Sequence, residues 1–466
     1  MPAVRPAGFT DPPVGDGSER YAQQRVDWRS CRDGLECAEV VVPLDYHKPD
    51  DTAITLAVAR RPSAGRSRRG SLFINPGGPG VSGIDYVRSF DRTGLEAFDV
   101  VGWDPRGVGA STPIQCADSA QVDRFLAMDG SPDTSVERTA LVQASREFGL
   151  SCLKRSGPLL SHVSTVETAR DLDLLRRLVG EEKLTYFGSS YGTAIGARFA
   201  DLFPATVGRM VLDGAVDITE GGTTQAEGFD RAFTSFAAWC ASRSCSLGSS
   251  RSAVESGVAR LLDRLDAAPL EVGRRQLTQQ LAVTAVVFVL YGNERTWSYL
   301  VAALEAAIRD GDGGALLALA DRYNERGSDG QYGQSTYAFP AITCLDSDKG
   351  GIRQADKDLA AVVKKAPTLG PYLGPNYLCP MWPVPAAPDP GRPTARDAAP
   401  IVVIGTTGDP ATPYQNAVGM ARQLDSAVLL TLKGEGHLAY GQSQCVQRQV
   451  RAYLVDGVVP KDGAVC

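Results

Sequence analysis

The chain has 466 residues, long for one domain and short for three, with 43% hydrophobic and 22% charged residues, ordinary values for a globular protein with a large buried core. A net charge of −6 argues against a phosphate-backbone partner, so no nucleic acid is expected. The longest apolar run, Leu281–Tyr291, is too short to span a bilayer, and the chain is read as a soluble monomer.

Residues 1–20 are rich in Pro and Gly and are expected to fray. No leader peptide is read in the first thirty residues, which lack an apolar core of about 7–15 residues; Met1 is read as standing where a leader was removed. Eight short apolar runs then read as strands buried on both faces: Val40–Pro43, Ile54–Ala59, Ser71–Ile74, Val100–Trp103, Leu184–Phe187, Arg209–Leu212, Ile401–Ile404 and Val428–Leu432. Between the second and third lie Arg60, Arg61, Arg66, Arg68 and Arg69, beside Gly65 and Gly70. That cluster reads as a solvated hairpin tip. The clearest helix is Val166–Val179, with Ser164 and Glu167 as a capping box and Gly180 as its stop. Strands alternating with helices predict an α/β fold with a mostly parallel sheet. The strand rhythm stops after Asp213 and resumes at Pro400. The interval is helix-like, as at Gly257–Leu265 and Ser298–Arg309, and ends in a Pro-rich tract, Pro380–Pro400. The predicted plan is a catalytic domain in two parts, 1–217 and 396–466, with a helical lid inserted at 218–395.

The chain has ten cysteines, 31, 37, 116, 152, 240, 245, 344, 379, 445 and 466. None forms a C-x-x-C pair and only three histidines accompany them, so no metal is expected. An even count without a metal pattern suggests disulfides and an oxidising compartment; the alternative is buried free thiols in a cytosolic enzyme. Pairing neighbours would give 31–37, 116–152, 240–245, 344–379 and 445–466, although spacing alone does not fix connectivity.

Gly188-Ser189-Ser190-Tyr191-Gly192 matches G-x-S-x-G after the strand LTYF and before the helix-like TAIGARFADLF. The motif needs that strand–turn–helix setting, in which Ser190 sits on a strained turn as nucleophile. The flanking glycines spare a clash where the chain doubles back. A serine hydroxyl needs a base. Of His47, His162 and His437, only His437 follows Ser190, as the order Ser–acid–His of the α/β-hydrolase fold requires. The acid that orients it is read as Asp409, directly after the run IVVIGTTG. Asp213 is the rival, read as a structural or pocket residue. Oxyanion donors are expected from the Tyr191 amide and from the loop Asn75-Pro76-Gly77-Gly78-Pro79-Gly80, with Gly78 first and Gly77 second. A phosphate-binding glycine loop is discounted because no G-x-x-x-x-G-K-[ST] is present.

NPGGPG (75–80), GWDPRGVGAS (102–111), YFGSSYGTAIGARFADLFP (186–204), GTTGDPATPYQNA (405–417) and GEGH (434–437) together resemble the tripeptidyl aminopeptidase branch of the proline iminopeptidase-like α/β-hydrolases. Asn75-Pro76 stands where proline iminopeptidases usually carry His-Gly, which is similar to the tripeptidyl branch. The resemblance implies a secreted enzyme with bridged cysteines and no cofactor. Its peptide substrates would lose short peptides, tripeptides above all, from free N-termini, with Ser190, Asp409 and His437 in the catalytic roles. An aminopeptidase must hold an ammonium, and the insertion offers Glu220, Glu227, Asp230, Asp346 and Asp348. Asp346, in a segment that resembles a recurrent family run, is the first choice and Glu227 the second, against the plain alternative of solvated surface acids. Two rival readings remain: a secreted carboxylesterase, and a silent binding protein on the same fold.

Overall fold

The computed structural model describes residues 8–64, 67–219, 224–347 and 350–466. Each apolar run becomes a strand: β1 Glu36–Pro43, β2 Ala53–Arg61, β3 Ser71–Asn75, β4 Asp99–Trp103, β5 Leu184–Ser189, β6 Val207–Asp213, β7 Ile401–Gly408 and β8 Ala427–Glu435. They lie in the order 8-7-6-5-3-4-2-1. β3 to β8 run parallel, whereas β2 is antiparallel to both β1 and β4. Short strands at Arg29–Ser30, Ala464–Val465 and Phe9–Thr10 extend the sheet to eleven. The parallel strands have apolar side chains on both faces because helices cover both; Leu72, Phe73, Ile74, Val100, Val101, Met210, Val211 and Ile401–Ile404 are all buried.

Between β6 and β7 the chain builds the helices Gln225–Ser242, Arg251–Ala267, Gln279–Leu290, Trp297–Glu305, Gly314–Tyr323, Ser335–Asp346 and Ile352–Lys365. Phe233, Phe236, Val286, Trp297, Leu300 and Leu316 give the helices between Gln225 and Tyr323 an apolar core distinct from those on the sheet, whereas Ala338, Ala341, Ile342 and Leu345 of Ser335–Asp346 pack into a core on the sheet. All five neighbour disulfides form, and no described cysteine is free. Among the described residues no helix is long and apolar enough to cross a membrane.

Three local expectations change. The N-terminal stretch is tied down from Phe9, which pairs with Ile54 on β2. The arginine cluster is not a hairpin tip, because β2 pairs with β1 and β4 and not with β3. Arg68 bonds Asp99 at 2.7 Å and Glu181 at 2.8 Å, and Arg60 bonds Glu36 at 2.6 Å. Gly65 and Arg66 lie outside the described residues. Ser164 does cap the helix Thr165–Leu178, accepting from the Glu167 amide at 3.3 Å. Glu167 does not return the bond, because its carboxylate is drawn to Arg106 at 3.0 Å.

Arg106 explains part of the GWDPRGVGAS run. It is fully buried and donates to Asp171 through two bonds of 2.7 Å. It also donates to the Leu44, His162 and Pro43 carbonyls. A buried guanidinium needs such a full set of acceptors. Asp104 accepts from the Ser82 hydroxyl at 2.6 Å and the Ala110 amide at 2.9 Å, joining the loops after β3 and β4.

Candidate active site

The strand order changes direction at β3, which has β4 on one side and β5 on the other. Open α/β sheets bind ligands beyond the strand ends at such a switch point. Asn75 pairs with Gly188 there, Ser189 with Asp213, and Gly408 with Glu435. Those pairings bring the loops carrying Gly78, Ser190, Asp409 and His437 to one edge.

Ser190 sits between β5 and the helix Gly192–Leu202 with φ +54°, a conformation costly for a residue with a side chain. The 2.8 Å bond from its amide to the Asp213 carbonyl holds it there. A β-carbon on Gly188 would stand 2.5 Å from the Gly192 carbonyl oxygen, so the doubled-back chain excludes one. At Gly77, with φ +93°, a β-carbon would lie 2.6 Å from the Ser189 carbonyl oxygen and 2.8 Å from the Tyr191 nitrogen.

The two glycines at 77 and 78 differ in their bonding. The Gly77 amide donates to Asn75 Oδ1 at 2.9 Å and is committed. The Gly78 and Tyr191 amides have no hydrogen-bond partner among the described residues. Gly78 lines a cavity of about 460 Å³ together with Ser190 and His437.

His437 Nδ1 lies 3.0 and 2.9 Å from the two oxygens of Asp409, which is fully buried. Buried charge needs partners. The carboxylate also accepts from the Ala411, Thr412 and Leu438 amides and from the Thr412 hydroxyl, at 2.8 to 3.2 Å. With Asp409 accepting from so many donors, Nδ1 carries the proton and Nε2 is left free to accept one. The rival acid, Asp213, is occupied elsewhere: it accepts from the Ala439 and Tyr440 amides at 2.9 to 3.1 Å. Burial pushes its carboxyl up to about 6, against the pull of those amides. It anchors the loop that follows His437.

The insertion reaches both loops. Arg231 donates to the Asp409 carbonyl at 2.6 Å, and Gln225 to the Ala411 carbonyl at 3.2 Å. The His437 amide donates to the Tyr291 carbonyl at 2.8 Å, and the Tyr291 ring meets the imidazole edge to face at 5.4 Å.

The predicted amine anchors are not brought to this cavity. Glu227 caps its own helix through Thr224 and faces Lys365 at 3.6 Å. Asp230 accepts from the Thr368 and Leu369 amides. Asp346 lines a second cavity of about 610 Å³ with Arg198 and Thr165. Crowding by the fold pushes its carboxyl up to about 6, although the residue is exposed at the rim and water there limits that rise. Glu220 and Asp348 lie outside the described residues. Among the described residues the acid that lines the Ser190 cavity is Glu325, which sequence reasoning passed over. Among the described residues, no group of three or more His, Cys, Asp or Glu is placed to hold a metal ion.

A family profile described as TAP-like protein matches residues 366–466. The chain is 37% identical to the serine protease Hip1 of Mycobacterium tuberculosis, over 97% of this chain and 94% of that one. It is 37% identical to carboxylesterase B of the same species (100% and 95%), and 30% identical to the tripeptidyl aminopeptidase of Streptomyces lividans (96% and 87%). The chain belongs to the tripeptidyl aminopeptidase-like α/β-hydrolases. It is an enzyme, a serine hydrolase, and the matched 366–466 segment holds Asp409 and His437. The names of these relatives differ between peptidase and esterase, so the chain's own cavity must decide between them.

Proposed function

We propose that this enzyme is a serine exopeptidase that releases short peptides, tripeptides above all, from free N-termini. Ser190 attacks the scissile carbonyl while His437, oriented by Asp409, takes its proton. The Gly78 and Tyr191 amides receive the oxyanion. His437 then protonates the leaving amine, and water repeats the sequence on the acyl-enzyme. Residues 218–395 act as the lid over the catalytic domain formed by 1–217 and 396–466. Five disulfides suit a secreted enzyme, since such bonds persist in oxidising compartments.

The observation that carries this reading is the charge of the cavity. Around Ser190 and His437 it is walled by Phe125, Leu126, Phe148, Phe339 and Leu378, and Glu325 is the one carboxylate lining it among the described residues. Among the described residues no lysine or arginine lines it. An apolar pocket with a negative charge at its exposed rim favours a ligand with one ammonium. Glu325 therefore replaces Asp346 and Glu227 as the proposed amine anchor. About 460 Å³ is the size of a small-ligand pocket and not of an extended groove.

The test compares a tripeptidyl anilide bearing a free amine with its N-acetylated twin. The free amine should be strongly preferred, and Glu325→Gln should raise its KM about tenfold or more by removing a charge-assisted bond. The same apolar wall would also suit a carboxylesterase. Equal cleavage of the twins, or turnover of simple esters alone, would decide for that second reading.

A further inference from the structure

Asp346 is the last residue of the helix Ser335–Asp346. A carboxylate there faces the negative end of its own helix dipole, which is unfavourable. Its partner is the start of another helix. The carboxylate accepts from the Thr165 amide at 3.0 and 3.1 Å and from the Thr165 hydroxyl at 2.6 Å. Thr165 opens the helix Thr165–Leu178, whose positive end offsets the misplaced charge.

The contact continues inward. The Thr165 hydroxyl lies 2.6 Å from the Tyr191 hydroxyl. Threonine has one hydroxyl hydrogen, and it is given to Asp346. The Tyr191 phenol must therefore be the donor to Thr165. Burial first, and the charge of Asp346 second, hold that phenol protonated. The result is a directed chain, Tyr191 to Thr165 to Asp346.

Tyr191 follows the nucleophile, and its amide, like that of Gly78, has no hydrogen-bond partner among the described residues. We infer that Asp346 is a positioning residue, which through Thr165 fixes the Tyr191 side chain and with it the main-chain amide that receives the oxyanion. The inference rests on the serine mechanism proposed above and assigns Asp346 no contact with substrate. Ser335, Thr336 and Phe339, at the other end of the same helix, line the Ser190 cavity. One helix thus joins the substrate wall to the oxyanion donor.

The test uses the full-length enzyme, the free-amine tripeptidyl anilide and a fluorophosphonate that phosphonylates serine. Asp346→Asn and Tyr191→Phe should each lower kcat about tenfold, less than the hundredfold or more for outright loss of an oxyanion donor. KM should stay within about twofold and the preference over the acetylated twin should not change. The double variant should be no slower than either single one, because the chain acts as a unit. Thr165→Ser should keep wild-type kcat and Thr165→Val should not. The phosphonylation rate should fall in step with kcat. A raised KM with lost amine preference, additive effects in the double variant, or a lowered Tm with unchanged kcat would each overturn the inference. Failure of the wild-type enzyme to react with the phosphonate would instead remove the serine mechanism beneath it.

Discussion

Thr412 shows how much of the site depends on one small side chain. Its hydroxyl lies 3.1 Å from Asp409 Oδ2 and 3.3 Å from His437 Nδ1, so it touches both partners of the pair. Thr412→Val keeps the shape and removes the hydroxyl. It should lower kcat about tenfold with little change in KM, the scale of one hydrogen bond to a charged group, and Thr412→Ser should restore the rate. Asp213 makes a different prediction, read in stability. Its folded pKa of about 6 lies above the roughly 3.9 of an unfolded aspartate. The folded state therefore binds the proton more tightly, and the stability from this group falls as pH rises between about 4 and 6. The Tm of the wild type minus that of Asp213→Asn should shrink across that window; a flat difference would contradict the assignment. What was legible was the placement: Ser190, Asp409 and His437 each follow a recognisable strand, and the structure sets Ser190 and His437 on one cavity and His437 against Asp409. Thr412 carried a readable local signal, three residues past the acid in GDPAT. Glu325 carried none, because its place is set by the meeting of segments far apart in sequence.

At the scale of elements, the insertion is bonded onto the two loops that carry Asp409 and His437. The Arg231 guanidinium, on the first insertion helix, holds the Asp409 carbonyl, while Tyr291 receives the His437 amide. Arg231→Met should slow kcat by about tenfold without a matching rise in KM, since it disturbs the pair and not substrate binding. An unchanged kcat would mean that the contact is only packing. The eight main strands could be read from apolar runs because strands buried on both faces need apolar side chains throughout. The antiparallel pairing of β1 and β2 could not, since direction is set by connections and not by composition. Ser164 was legible as a cap, but the reciprocal bond from Glu167 was lost to Arg106, a long-range partner that local pattern does not reveal.

At the scale of the molecule, loops of the sheet and helices between β6 and β7 must stay in register for the cavity to exist. Disulfides limit how far the unfolded chain can wander, and more so for long loops. Cys344–Cys379 closes a separation of 35 residues and Cys31–Cys37 one of 6. The chain-entropy relation gives about 4 kcal/mol for the first and about 2 kcal/mol for the second. Replacing Cys344 and Cys379 together by serine should therefore lower Tm more than replacing Cys31 and Cys37, and calorimetry would decide. The central claim is that Ser190 does the chemistry, with His437, held by the buried Asp409, as its proposed base. The most direct measurement is to react the enzyme with a fluorophosphonate and locate the adduct by peptide mass spectrometry. The account predicts one equivalent of label on the peptide containing Ser190, none on Ser190→Ala, and loss of turnover in parallel. Label on another residue, or normal turnover by Ser190→Ala, would contradict it.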